Sequence, residues 1–423
     1  MNEGDRVLVE TKDKKFEGVV LPSATKGSVV LKLVSGYNVG IVKKEIKKST
    51  VLEKYKKKAE REVKKIAHSL KKKTIAILHT GGTIASKVDY ETGAVIARFT
   101  PEELVALFPE LEHLVNIKSR LIGNMWSDDM RFVDYNAIAK DIEKELKQGV
   151  DGIIVTQGTD TLHSTAAALS FILEDLPVPV LIVGSQRSSD RGSSDARMNL
   201  VCAVEFMLQS DFAEVAVCMH KSMNDDICAI LPGLKCRKMH SSRRDAFKAV
   251  NASPYAEVDF QNRKVHILDG SFKKRSKSIL KLRLFKDVKV GWLRSRPELF
   301  ASELKIYNKY DGLLLEGTGL GHMPIGMHAE NKKIFAELKK LGKKIPVVMS
   351  TQTVFGRVDM NVYSPGRELQ EIGVLGNYSS MTPETTYLKL AWLLSNYPKK
   401  VKEMMHQDIR GELSPRIGVE FLE

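Results

Sequence analysis

The chain has 423 residues, is 43% hydrophobic and 28% charged, and carries a formal net charge of +14. That composition describes a globular chain too long for one ordinary core, so two or three domains are expected. No uninterrupted apolar run is long enough to span a bilayer, and the charged start Met1-Asn2-Glu3-Gly4-Asp5-Arg6 is not that of a signal peptide. The four cysteines, Cys202, Cys218, Cys228 and Cys236, fit a reduced cytoplasmic protein better than a disulfide scaffold.

Charge is unevenly placed. Residues 1–73 hold 20 Lys+Arg against 9 Asp+Glu, a net +11, which leaves +3 for the other 350 residues. A basic front end on a nearly neutral body points to an acidic partner, nucleic acid or an acidic protein face, or else to a solvated lysine coat. Residues 1–50 read as four or five short strands separated by Gly, Pro or Ser, beginning Asp5–Glu10, Lys15–Leu21, Ser28–Leu33 and Tyr37–Ile41. The expected fold is a small all-β barrel of the SH3-like or Sm-like class. Over residues 51–73 apolar positions fall every three or four, at Leu52, Tyr55, Ala59, Val63, Ile66 and Leu70, which predicts a basic amphipathic linker helix capped by Ser49 or Thr50.

Residues 74–262 alternate strand and helix signals. The strand from Thr74 runs into Thr80-Gly81-Gly82-Thr83; the strand from Gly152 runs into Gln157-Gly158-Thr159-Asp160; a third from Val178 runs into Gly184-Ser185-Gln186. A helix start is expected at Thr100-Pro101-Glu102-Glu103, with threonine as cap, proline at the first position and acids in the first turn. This rhythm predicts a large α/β domain with a doubly wound parallel sheet, whose sites lie at the carboxyl edge of the strands. Residues 263–283, with Phe272-Lys273-Lys274-Arg275-Ser276-Lys277, read as a linker. Residues 284–423 read as a second, smaller α/β unit with strands at Val288–Leu293, Gly312–Gly317 and Ile345–Ser350, then a tail without periodic pattern from His406.

Two glycine-flanked threonines at one sheet edge suggest hydroxyl chemistry. An unassisted threonine hydroxyl is a poor nucleophile and needs a base and an oxyanion partner. Asp160 lies beside Thr159, and Lys238 in Arg237-Lys238-Met239-His240 is a candidate base if its surroundings favour the neutral amine. A competing set, Cys218, His220, Cys228, Cys236 and His240, has ligand types that suit zinc, but its spacings match no standard pair; buried free cysteines are the preferred reading.

The segments Thr80–Ala85 and Thr156–Thr161 together resemble the two signature motifs of the L-asparaginase/glutaminase family. Val183–Arg187 and Thr382-Pro383-Glu384 resemble that family's following strand and last helix, so the likeness runs from about Thr74 to about Pro398. The resemblance implies Thr83 as primary nucleophile, Thr159, Asp160 and Lys238 as a second hydroxyl relay, and Ser127 with Asp128 as the turn that holds the substrate's α-carboxylate and α-amino groups. Tyr90 corresponds to the tyrosine of the family's mobile lid, in a loop of different length. No metal or organic cofactor is implied for this chain, and a site near a subunit boundary implies a homodimer at least.

Residues 1–73 have no counterpart in bacterial asparaginases. Arg237–Phe247 and Phe355–Asn361 resemble a narrower group, the D subunits of archaeal glutamyl-tRNA(Gln) amidotransferases. That likeness implies an E-subunit partner in an α2β2 heterotetramer. The partner would bind Glu-tRNA(Gln), use ATP and Mg, and accept ammonia released here from glutamine or asparagine. The absence of a phosphate-loop motif agrees with ATP chemistry lying on the partner. The alternatives are a free-standing L-asparaginase with an accessory basic barrel, and a catalytically silent RNA-binding or scaffold protein.

Overall fold

The computed structural model describes all residues except 3, 22, 24–26, 34–37, 55–68, 83, 85, 89–94, 98–107, 188–193 and 419–423. Strands β1 (Arg6–Glu10), β2 (Lys15–Leu21), β3 (Ser28–Leu33), β4 (Asn38–Val42) and β5 (Lys48–Glu53) form one antiparallel sheet in the order β4-β3-β2-β1-β5. Alternation along the strands turns Val7, Val9, Val20, Val29, Leu31 and Ile41 into a common core. The fifth strand corrects the expected boundary at residue 50. Ser49 and Thr50, expected to cap a helix, lie opposite Val9 and Leu8 in β5. Thr50 and Val51 are β-branched and suit a pleated edge, and β1 offers them unpaired backbone groups. The rest of the expected helix, 55–68, lies outside the described residues, as does the helix start at Thr100.

The large domain is built on strands β6 (Thr74–His79), β7 (Ser86–Val88), β8 (Val95–Ala97), β9 (Asn116–Leu121), β10 (Gly152–Thr156), β11 (Leu173–Glu174), β12 (Val180–Val183), β13 (Val215–His220), β14 (Ile227–Pro232), β15 (Cys236–Lys238), β16 (Phe247–Ala249), β17 (Ala256–Asp259) and β18 (Lys264–Ile267). Eight of them form one sheet in the order β18-β17-β14-β13-β12-β10-β6-β9. Both faces are covered: Ile75, Ile77 and Ile154 join one core, Ala76, Leu78, Ile153 and Val155 the other. Such two-sided burial explains why these strands read as unbroken apolar runs.

The sheet is mixed rather than wholly parallel. Strands β13, β12, β10, β6 and β9 are parallel; β14, β17 and β18 are antiparallel. Only residues 221–226 join β13 to β14, too short a connection for the helical crossover that parallel pairing needs. The expected linker at 263–283 is likewise packed structure. It supplies β18, the buried Phe272 set edge-on to Phe212 at 5.2 Å, and Arg275, which donates to the carbonyls of Asp151 at 2.7 Å and Met207 at 2.8 Å. Its end, β19 (Lys281–Leu282), pairs with β11.

The second unit has a parallel sheet of β20 (Val290–Arg294), β21 (Gly312–Gly317) and β22 (Val347–Thr351) with its own core. Helix Pro383–Asn396 packs against helix Leu162–Ile172 of the large domain, with Trp392 stacked on Phe171 at 5.5 Å. Thr382 caps it, accepting from the Thr385 N–H at 3.2 Å, and proline occupies its first turn. Among the described residues no helix is long and apolar enough to cross a membrane.

Candidate active site

Strand register assembles the site. His79, Thr156 and Val183 stand side by side on β6, β10 and β12. The next residues, Thr80-Gly81-Gly82, Gln157-Gly158-Thr159 and Gly184-Ser185-Gln186, therefore leave the same carboxyl edge as neighbours. The segment after β9, containing Asn124, Met125 and Ser127, completes the row. His79 cross-links the edge: its Nδ1 lies 2.7 Å from Thr156 Oγ1 and its Nε2 2.9 Å from Ser119 Oγ. Burial lowers its pKa to about 4, so the ring is neutral and holds one donor and one acceptor nitrogen.

Glycines are required where these turns touch. Gly81 and Gly82 have φ of +112° and +83°, and a Cβ on Gly81 would lie 2.7 Å from the Met125 carbonyl oxygen. A Cβ on Gly82 would strike the backbone of Gly158, including its Cα at 2.6 Å. A Cβ on Gly158 would in turn meet Ser127 Oγ at 3.1 Å. The two motifs thus meet glycine against glycine, with Ser127 pressed behind them.

Three of the expected residues converge. Lys238 Nζ donates to Thr159 Oγ1 at 2.9 Å and to Asp160 Oδ1 at 2.7 Å. The lysine side chain is 9% exposed and the aspartate 69%, so the pair runs from a dry interior to an open rim. Lys238 ends β15, whose partner β16 sets Phe247 opposite it. Beside it, Arg237 is held by Glu384 at 2.9 Å, so the first turn of the last long helix braces the hairpin that carries the lysine. His163, buried near the same cations, has its pKa lowered to about 4, first by burial and then by Arg237 and Lys238.

Ser127 is buried in a single 3₁₀ turn, Ser127–Asp129, and its carbonyl accepts from the Thr161 hydroxyl; Asp128 follows it and is exposed. The turn therefore abuts the Thr159 segment. Thr83 and Tyr90 lie outside the described residues. Two clefts, of about 900 and 520 Å³, are lined by neither Thr159, Asp160 nor Lys238. Side-chain chemistry, not cavity size, marks the site.

The candidate zinc set separates into different environments. His220 pairs across the sheet with Cys228, but its ring nitrogens are engaged by Asn199 Oδ1 at 2.7 Å and Asp225 Oδ1 at 3.2 Å. Cys218 and Cys228 donate to Asn199, and burial raises both thiols. Cys236 belongs to the core on the opposite face, and His240 Nδ1 accepts from its own loop at Ser242 and Arg243. Among the described residues no three His, Cys, Asp or Glu side chains gather as a metal site.

Sequence reasoning gave no role to the residues that frame Thr159 from the third strand. Thr159 Oγ1 donates to Gln186 Oε1 at 3.3 Å. Asp195, fully buried, accepts from the backbone N–H groups of Gln186 and Arg187 and from Ser185 Oγ. Asn199, one helical turn on, donates to the Gly184 carbonyl at 3.0 Å. The strand running into Gly184 was a visible signal for Gln186; the spacing of Asp195 and Asn199 carries none by itself.

Residues 74–271 match the asparaginase N-terminal family model, residues 289–405 the glutaminase/asparaginase C-terminal domain, and residues 1–52 the GatD N-terminal domain. The chain is 40% identical to the D subunit of the glutamyl-tRNA(Gln) amidotransferase of Methanobrevibacter smithii, covering 99% of this chain and 95% of the relative. It is 42% identical to the protein of the same name from Pyrococcus furiosus, covering 97% and 93%. Among solved structures it is similar to the thermostable L-asparaginase of Thermococcus kodakarensis, with a TM-score of 0.72 and 29% identity over 81% of this chain and 100% of the other. L-asparaginase I of Vibrio cholerae gives 0.70 and 28%, covering 81% and 99%. Fold, site and near full-length similarity agree: the chain belongs to the asparaginase family, within its group of glutamyl-tRNA(Gln) amidotransferase D subunits.

Proposed function

We propose that this chain hydrolyses the side-chain amide of glutamine or asparagine and delivers the ammonia to a partner protein, which converts Glu-tRNA(Gln) to Gln-tRNA(Gln). The observation that carries the chemistry is the Lys238 Nζ shared between Thr159 and Asp160 at the motif edge. The match of residues 1–52 to the GatD N-terminal domain supports the tRNA-dependent setting over a free-standing asparaginase.

In this reading the Thr83 hydroxyl attacks the amide carbon, and its proton passes to the amide nitrogen as the C–N bond breaks and ammonia leaves. Water then hydrolyses the Thr83 ester to release the acid and restore the hydroxyl. Ser127 and Asp128 hold the α-carboxylate and α-amino groups, and Tyr90 closes over the substrate. Lys238 assists Thr159 by donating to its hydroxyl oxygen, while Asp160 fixes the lysine's position. This chain needs no cofactor. ATP and Mg act on the E subunit, the assembly is α2β2 around a homodimer of this chain, and tRNA is bound mainly by the partner.

Co-purification with the E subunit, followed by ammonia assays with and without Glu-tRNA(Gln), tests the proposal. Hydrolysis should be slow or uncoupled alone and rise with partner and tRNA. Full asparagine hydrolysis by the isolated chain, unaltered by both, would favour the free-standing enzyme.

A further inference from the structure

Thr159 has a second partner besides Lys238, and its surroundings are built more rigidly than a chance contact requires. Gln186 Oε1 accepts the Thr159 hydroxyl at 3.3 Å, while Lys238 Nζ donates to the same oxygen at 2.9 Å. The single Thr159 proton is therefore directed at Gln186. Gly184 lets the two segments close: a Cβ there would lie 2.8 Å from the Thr159 methyl. Below, both oxygens of Asp195 accept from the Gln186 N–H, at 3.1 and 3.0 Å. Gln186 Nε2 is buried without a hydrogen-bond partner among the described residues.

The same anchor reaches the lysine from behind. Asn199 donates to the Gly184 carbonyl at 3.0 Å and approaches Asp195 at 3.3 Å, and its Oδ1 pairs with His220. His220 contacts Asp225, which Arg244 grips from the loop between β15 and β16. The polar contacts behind the acceptor of Thr159 thus extend to the loop that follows its donor.

We infer that Gln186 is a positioning residue that fixes the rotamer and proton direction of Thr159, so that the hydroxyl oxygen faces Lys238. The inference rests on the amidase reading. It predicts a specific pattern in the full chain assembled with its partner. Gln186→Leu, similar in size but without the acceptor, should lower kcat for ammonia release about tenfold or more while KM stays within about threefold. Gln186→Glu, which keeps an oxygen in place, should recover a large part of kcat. Thermal unfolding should show both variants folded. Wild-type kcat in Gln186→Leu, or equal loss in the leucine and glutamate variants, overturns the inference and leaves the amidase reading standing. No ammonia release by the wild-type complex overturns both.

Discussion

Lys238 is the residue on which the proposed chemistry turns, because it donates to both Thr159 and Asp160. Lys238→Met keeps much of the buried stem and removes the amine. It should reduce kcat about 10²–10⁴-fold, the usual contribution of a positioned acid or base, with a much smaller change in KM. Steady-state ammonia assays check this; a rise in KM alone, with kcat unchanged, would contradict it. Two histidines make a second prediction at this scale. His79 and His163 are held near pKa 4 by burial, below the ordinary 6.5. The unfolded chain therefore binds their protons first as pH falls. The stability their neutral burial allows is complete above about pH 6.5 and is lost towards pH 4, by roughly 3 kcal/mol per histidine. Histidine NMR titration should show both rings neutral at pH 5.5; a titration midpoint near 6.5 for either would refute the assignment.

At the level of elements, the site depends on a buried polar brace between helix Ala196–Gln209 and the strand ends. Asn199→Leu would strip side-chain partners from the Gly184 carbonyl, His220 and the Cys228 thiol. The predicted cost is on the order of 2–4 kcal/mol in unfolding free energy, read by denaturant titration; a loss below about 0.5 kcal/mol would show the brace to be idle. Much of the element plan was legible because register and composition agree: the three strands ending in glycine at 80–82, 157–159 and 184–186 are adjacent in space as their shared design implies. Where reading failed, tertiary partners decided. Ser49-Thr50 had a cap's composition but found a strand edge at β1, and the basic 263–283 segment was held by Phe272 and Arg275 rather than left as a linker. Asp195 and Asn199 could not be found, because one-turn spacing of polar residues is common on any helix.

On the scale of the whole molecule, a basic front end and an asparaginase-type body are joined in one chain, and the body's closing segment is locked by an unusual pair. Lys389 and Glu412 are both fully buried, 2.6 Å apart, and Lys389 also donates to the carbonyls of Met405 and Gln407. Glu412 accepts from the N–H groups of Ile409 and Arg410, so the pair fixes the tail that had no periodic signature. Lys389→Met leaves a buried carboxylate uncompensated and should cost about 3–5 kcal/mol, whereas replacing both residues by apolar ones should cost much less; a double-mutant cycle measures the difference. In the proposed function, ammonia made at Thr83 is used by a partner. The most direct measurement is Gln-tRNA(Gln) formation by the reconstituted complex carrying Thr83→Ala, with either glutamine or an ammonium salt as nitrogen donor. Product formation should be lost with glutamine and preserved with ammonium. Undiminished glutamine-dependent product from the variant would contradict it.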